Sequence, residues 1–166
     1  VRLRLERAES DTAPTAGLTD QQGAFGEAES LRILLAEDNP TNQRVVTLLL
    51  EPTGAVITLA GNGLEALEAW RKEPFDLVLM DMMMPEMDGL VATAAIRDLE
   101  RTSGRARTPI AMLTANAMPD HVRAATAAGC DGHIAKPLTP QRLFAGIEAA
   151  MARAAAASAP QDTDAA

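Results

Sequence analysis

Five residues with chemistry to offer stand directly after short apolar runs. Glu37 and Asp38 follow "LRILLA", Asp81 follows "LVLM", Thr114 follows "IAML" and Lys136 follows "GHIA". Three carboxylates gathered in one cleft repel each other. Either protons or a hard divalent cation must relieve that repulsion. Mg²⁺ suits the task, because it takes oxygen ligands in an octahedron, keeps several waters and needs only a few protein oxygens plus a phosphate. A carboxylate beside bound Mg²⁺ and a lysine can attack a phosphoryl group, and positioning with charge neutralisation does most of that work. Lys136 would pair with the phosphoryl oxygens and Thr114 would donate a hydrogen bond to one of them. Ala115 is small and leaves room above the site.

The elements that must gather these residues alternate along the chain. The strands are expected at 31–37, 55–60, 75–81, 108–115 and 132–136. The helices are expected at 39–54, 62–73, 88–101, 118–129 and 139–157. Asn39 can cap the first helix, Pro40 suits its first turn, and Pro52 with Gly54 ends it. The strands are continuous apolar runs, which predicts burial on both faces and a parallel sheet covered by helices on each side. The expected fold class is therefore α/β, a (βα)5 doubly wound five-stranded parallel sheet. Ligands of such sheets bind outside the carboxyl ends of the strands, where the strand order reverses. In the flavodoxin-like order 2-1-3-4-5 the first and third strands are neighbours. Glu37, Asp38 and Asp81 then crowd together, with Thr114 and Lys136 arriving from the other side. After the second strand "AGNG" offers nothing ionisable.

Composition narrows the function classes. The chain has 166 residues, a single domain's worth, with 47 % apolar residues and 2 % aromatic ones, so Leu, Val, Ile, Met and Ala must build the core. A net charge of −8 argues against direct DNA binding or attraction to an anionic membrane. It suits a metal cation or a partner with a basic patch. No apolar run approaches the roughly 18 residues of a membrane helix, so this segment is expected to make no membrane contact. The lone Cys130 excludes an internal disulfide and fits a reducing, cytoplasmic location. Residues 1–30 are expected to be the end of a preceding domain plus a flexible linker. "VRLRLERAE" alternates like a strand, while "SDTAPTAGLTDQQGAFGEAES" is small and polar. Residues 31–157 form the main domain and 158–166 a disordered tail. Val1 in place of an initiating methionine suggests a piece of a longer chain.

The stretches "ILLAEDNPTNQ", "LVLMDMMMPEMDG", "PIAMLTANAM" and "AGCDGHIAKPL" resemble the four signature stretches of the receiver domain of two-component response regulators. "AEDNPTNQ" and "LTANAM" are most similar to receivers at the C-terminus of hybrid sensor histidine kinases. The resemblance covers about residues 31–155. It implies that Asp81 accepts a phosphoryl group from a phosphohistidine and that Glu37 and Asp38 hold Mg²⁺. The backbone carbonyl of Met83 is then a further Mg²⁺ ligand. Lys136 pairs with the phosphate, next to a Lys136–Pro137 bond that is cis in such domains. Thr114 is the switch hydroxyl. The second switch position, ordinarily Tyr or Phe, falls on His133, which puts aromatic-rotamer signalling in question. The implied partners are a histidine kinase phosphodonor domain and a histidine phosphotransfer protein, met through a face of the first helix that carries Arg44, Val45 and Leu48. "VRLRLERAE" is similar to the last strand of a kinase ATP-binding domain. The receiver itself is then no kinase, whereas its parent chain is a hybrid protein-histidine kinase, free to be membrane-anchored.

Blander readings stand beside these. Glu37 and Asp38 also suit the start of a helix, where the macrodipole favours acids. Met82 to Met84 read as packing and loop. Val45 and Leu48 fit core packing equally well, and His133 fits core filler as well as a switch. Trp70 reads as partly buried, His121 as solvated helix surface and Cys130 as small filler. Two rival functions are weaker. A Mg²⁺-dependent phosphatase with an aspartyl nucleophile needs a second Asp two residues on, where Met83 stands. An FMN binder needs a phosphate-cradling first loop, and "AEDNPTN" is acidic. A pseudo-receiver, a protein-interaction module that is never phosphorylated, is the remaining alternative.

Overall fold

The computed structural model describes residues 30–159. The expected preceding domain end, most of the linker and all but the first two residues of the expected C-terminal tail lie outside the described residues; of those two, Ser158 still belongs to the last helix. Five strands and five α-helices alternate: β1 Arg32–Ala36, α1 Pro40–Leu50, β2 Val56–Ala60, α2 Gly63–Lys72, β3 Leu77–Asp81, α3 Gly89–Ser103, β4 Ile110–Thr114, α4 Pro119–Ala128, β5 Gly132–Ala135 and α5 Pro140–Ser158. All strand pairs are parallel and the order is β2-β1-β3-β4-β5. This is the flavodoxin-like order, and it makes β1 and β3 neighbours.

The period of two along each strand sorts the core into two layers. Ile33, Leu35, Leu77, Leu79, Ala111 and Leu113 face α1 and α5, meeting Val46, Leu50, Leu143 and Ile147. Leu34, Ala36, Val78, Met80, Ile110 and Met112 face α2, α3 and α4, meeting Ala66, Leu67, Trp70, Ala92, Ile96 and Ala125. Each fully buried Leu or Ile contributes roughly 1.5–3 kcal/mol, so the two layers hold the strand ends in fixed register.

Burial on both faces is true only of the inner strands. β3 and β4 are buried throughout, whereas Val56 and Leu59 of the edge strand β2 are exposed. An apolar run reads the same at the centre and at the edge of a sheet. The first helix also ends earlier than expected. Pro52 sits in a single turn of 3-10 helix, Glu51–Thr53, that closes on Gly54 at φ 72°. Trp70 is 1 % exposed, not partly buried. Its Nε1–H donates to Thr108 Oγ1 at 3.0 Å, and the Arg105 guanidinium lies 3.9 Å from the ring centroid.

The amino ends of the strands carry a closed ion network. Arg97 of α3 uses all three nitrogens of its guanidinium. Nε donates to Gly129 O at 2.8 Å, Nη1 to Glu100 and to Thr108 O, and Nη2 to Asp131 at 2.7 Å. Asp131 also accepts from Arg107 and from Ile110 N–H, and Glu100 accepts from Thr108 N–H. Every buried charge there has a partner, and α3, α4, β4 and β5 are tied at one end. Removing the shared cation leaves two buried carboxylates short of compensation, which typically costs 3–5 kcal/mol. Arg97→Met is therefore expected to lose about 3 kcal/mol in urea denaturation at pH 7. A loss below about 1 kcal/mol would show that Arg107 alone satisfies Asp131.

Candidate functional site

The carboxyl ends of the strands carry the opposite arrangement. β1 ends at Ala36, so Glu37 and Asp38 emerge at the rim. β3 ends on Asp81, beside β1 in the register Ala36↔Met80. The ligand oxygens of Glu37, Asp38 and Asp81 all lie within 4.8 Å of one another, in the one such acidic cluster among the described residues. Glu37 and Asp81 are buried, and Asp38 is exposed. Lys136 follows β5 and reaches across the rim. Its Nζ donates to Glu37 Oε2 at 2.9 Å and to Asp81 Oδ2 at 3.0 Å. Thr114 ends β4 fully buried, and among the described residues its hydroxyl has no hydrogen-bond partner.

These contacts set the charges. Burial pushes the Asp81 carboxyl up to about 6. The Lys136 hydrogen bond opposes the rise and the Glu37 charge adds to it. Burial also presses on Glu37, but hydrogen bonds from Lys136, Asn39 N–H and Asn42 outweigh it and hold that carboxyl below its ordinary value. Burial pulls Lys136 down, yet its bonds to Glu37 and Asp81 raise it above the ordinary lysine value. The pair of acids thus divides into one that is firmly ionised and one that is charged at a cost.

The loop after β3 is held from several sides. Met83 N–H donates to Asp81 Oδ1 at 3.4 Å, and Met83 itself is 73 % exposed while Met82 and Met84 are buried. Gly89 N–H donates to Met82 O, and Gly63 N–H to Met87 O. A Cβ on Gly89 would overlap the Asp81 carbonyl oxygen, so only glycine lets α3 start this close to the strand end. Glu86 sits in the left-handed region at φ 64°, a conformation that costs a non-glycine residue about 1 kcal/mol or more. Lys136–Pro137 is cis.

Sequence order therefore placed Glu37, Asp38, Asp81, Thr114 and Lys136 on one rim, and the structure brings them there. Other expectations need correction. His133 does not fill the core: it points outward from the edge strand β5 and is exposed. Arg44, Val45 and Leu48 are also exposed, so core packing does not explain Val45 or Leu48. Two supports went unread in the sequence. Gly63, in the "AGNG" stretch that offers nothing ionisable, anchors the loop after β3. Asn42 donates from Nδ2 to Glu37 Oε1 at 3.2 Å. A glycine at the first position of a helix was the available signal for Gly63 and Gly89.

The sensor histidine kinase GacS of Pseudomonas protegens is 38 % identical over 140 residues, which cover 84 % of this chain and 15 % of that protein. Hybrid signal transduction histidine kinase G of Dictyostelium discoideum is 43 % identical over 112 residues, covering 66 % of this chain and 3 % of that protein. The chain thus spans a small part of these relatives' length. The receiver domain of the sensor histidine kinase PA1611 from Pseudomonas aeruginosa PAO1, with a magnesium ion coordinated in its active site cleft, superposes with a TM-score of 0.66. It is 34 % identical, over 74 % of this chain and 98 % of that one. The co-crystal of the Saccharomyces cerevisiae histidine phosphotransfer protein Ypd1 with the receiver domain of its response regulator Ssk1 holds a chain matching at a TM-score of 0.69. That match is 27 % identical and covers 80 % and 94 % of the two chains. Residues 33–148, well over half of the chain, match the response regulator receiver domain, and the chain belongs to that family.

Proposed function

We propose that this receiver domain takes a phosphoryl group from a phosphohistidine onto Asp81 in a Mg²⁺-dependent phosphorelay. The observation that carries the reading is the rim itself: a buried Asp81 within reach of Glu37 and Asp38, with Lys136 Nζ 3.0 Å from its carboxylate. The residues fit a Mg²⁺ ion. Three carboxylates meet within 4.8 Å, burial and the Glu37 charge push Asp81 up to about 6, and at the end of the neighbouring strand the buried Thr114 hydroxyl has no partner among the described residues. Glu37, Asp38, Asp81 and the Met83 carbonyl would hold the ion. Its charge would screen the acids from each other and from the phosphoryl oxygens.

The chain's own residues do the rest. An Asp81 carboxylate oxygen attacks phosphorus, the O–P bond forms, the N–P bond to the donor imidazole breaks, and the imidazole keeps the electron pair and takes up a proton. Lys136 transfers its hydrogen bond from the Asp81 carboxylate to a phosphoryl oxygen. Thr114 turns its free hydroxyl toward another, which makes it the switch residue. His133 takes the second switch position from the outside of β5, where an inward swing of its ring would cost it solvent. The phosphodonor is a histidine kinase domain, and the alternative or onward partner is a histidine phosphotransfer protein. The exposed face of α1, with Arg44, Val45 and Leu48 (52 % exposed), continues onto Leu59 of β2 (51 % exposed) and supports the reading of a docking surface there. The parent chain is read as a hybrid histidine kinase in the cytoplasm; no described helix is long and apolar enough to cross a membrane.

Two outcomes test the reading. Added to the chain in Mg²⁺, beryllium fluoride, a phosphoryl mimic, is expected to shift the amide resonances of Met83, Thr114 and Lys136 further, and to cause no further shift in Asp81→Asn in the same Mg²⁺. A chain that ignores the mimic would instead be a pseudo-receiver. The second outcome concerns stability. The folded-state pKa of Asp81 lies above the ordinary 3.8, so the native state holds this proton more tightly than the unfolded state. The contribution is present below about pH 4 and is lost as pH rises through about 6. In chelator at pH 7, Asp81→Asn should therefore be more stable than the parent by ~1–2 kcal/mol, within the ~3 kcal/mol that a two-unit shift allows. Urea denaturation measures it, and a less stable Asp81→Asn would show that the ionised carboxylate carries no burial cost.

A further inference from the structure

We infer that Asn42 is a positioning residue that keeps Glu37 single-toothed and so sets the preference of the acidic site for Mg²⁺ over Ca²⁺. The inference rests on the reading of Glu37, Asp38 and Asp81 as a divalent-cation site. Its ground is the hydrogen bonding of one carboxylate. Asn39 N–H donates to Glu37 Oε1 at 3.1 Å and Asn42 Nδ2 donates to the same oxygen at 3.2 Å. Lys136 Nζ donates to Oε2 at 2.9 Å. An ionised carboxylate offers about four lone-pair positions, two per oxygen. Both positions on Oε1 are therefore taken and one on Oε2 is taken. A single acceptor position remains, on the oxygen that shares Lys136 with Asp81. Glu37 can offer the coordination sphere one oxygen, to the ion or to one of its waters, and not two.

Local helix chemistry shows why Asn42 is suited to this. Asn39 caps α1, its Oδ1 accepting from Thr41 N–H and Asn42 N–H. Asn42 is thus the third residue of the helix, where a Glu or Gln commonly reaches back to the cap's own N–H. Here that N–H is already taken by Glu37 Oε1. A glutamate at 42 would bring a second carboxylate to the same spot and repel Glu37. The amide avoids that, since a carboxylate only accepts and the NH₂ side can face it. Gln43 adds a brace from the next position, Nε2 to Glu37 O at 2.7 Å. Backbone and side chain of Glu37 are both tied to the first turn of α1.

Denticity separates the two cations. Ca²⁺ takes six to eight oxygens in flexible geometry and commonly uses carboxylates with both oxygens. Mg²⁺ demands near-octahedral geometry, keeps waters and is content with single oxygens. Freeing Oε1 costs Mg²⁺ an oriented ligand and gives Ca²⁺ an extra one. Ligand-orienting neighbours are typically worth 10- to 100-fold in metal affinity.

The test titrates the whole chain with MgCl₂ alone and with CaCl₂ alone, following the amide shifts of Asp38 and Met83. In Asn42→Ala the ratio of Mg²⁺ to Ca²⁺ affinity should fall about tenfold. Asn42→Asp supplies the second variant. It puts an acceptor where the donor stood, an acid in the first turn favours the helix, and its ratio should fall at least as far. Equal weakening of both cations would mark Asn42 as a merely structural residue and overturn the inference, as would an unchanged ratio in both variants. An unsubstituted chain that binds neither ion would instead overturn the reading of the site as a cation site, and this inference with it.

Discussion

Parallel strand order confines three carboxylates to one small volume, and much of the remaining architecture answers that confinement. β1 and β3 are hydrogen-bonded neighbours, so acids at their ends cannot separate. Glu37, Asp38 and Asp81 meet within 4.8 Å, and among the described residues Lys136 alone pairs with any of them, bridging Glu37 and Asp81, which leaves −3 + 1 = −2 on the rim when all are ionised. In water such crowding is weak; at a buried edge it is expensive, because the effective dielectric falls. The cost is unequally shared. Glu37 has N–H donors from α1 and stays ionised, while Asp81 has little besides Lys136 and is pushed up to about 6. The least supported acid is the most central one, and a poorly solvated carboxylate would suit the nucleophile's part proposed for it.

The two ends of the sheet make the contrast plain. At the amino ends, Arg97 and Arg107 meet Glu100 and Asp131, and every oxygen finds a donor. At the carboxyl ends, the charge is left unbalanced and a buried threonine hydroxyl is left unpaired. One end ties α3, α4, β4 and β5 together, and the other carries the deficit that a cation and a phosphoryl group can fill. Stability and chemistry are separated by the length of a strand, so each can be altered with limited effect on the other.

What could be read from the chain beforehand was local. Apolar runs closed by Gly and Pro mark the strands and helices, and an acid directly after such a run is visible without any structure. The strand order then followed from one assumption about topology. What stayed hidden depends on residues far apart in sequence. β2 and β3 are similar apolar runs, yet Leu59 is exposed and Leu79 is not, because only one strand has neighbours on both sides. Trp70 is buried by Thr108 and Arg105, more than thirty residues away. His133 faces outward because the period of two on β5 puts Gly132 and Ile134 inward. Asn42 looked like an ordinary residue of a helix start, since nothing in its neighbours' identities says that Glu37 has taken over the capping contact.

The same helix start would also join the proposed chemistry to the proposed docking face. α1 begins two residues after Asp38, and its first turn grips Glu37 through Asn42 and Gln43. Six residues on, at 1.5 Å per residue, Leu48 stands about 9 Å along the axis, on the exposed face with Arg44 and Val45. A partner docked on that face, as proposed, would stand a fixed distance from Asp81, because α1 itself is held: Pro40 and Asn39 pin its start, and Val46 and Leu50 seat it on the sheet. Phosphoryl transfer tolerates errors of well under 1 Å, and a loop could not hold a donor histidine that closely. A rigid helix with one end in the site and its side exposed can, and under the proposed function α1 would be at once the wall of the acidic cluster and the ruler for whatever delivers the phosphoryl group.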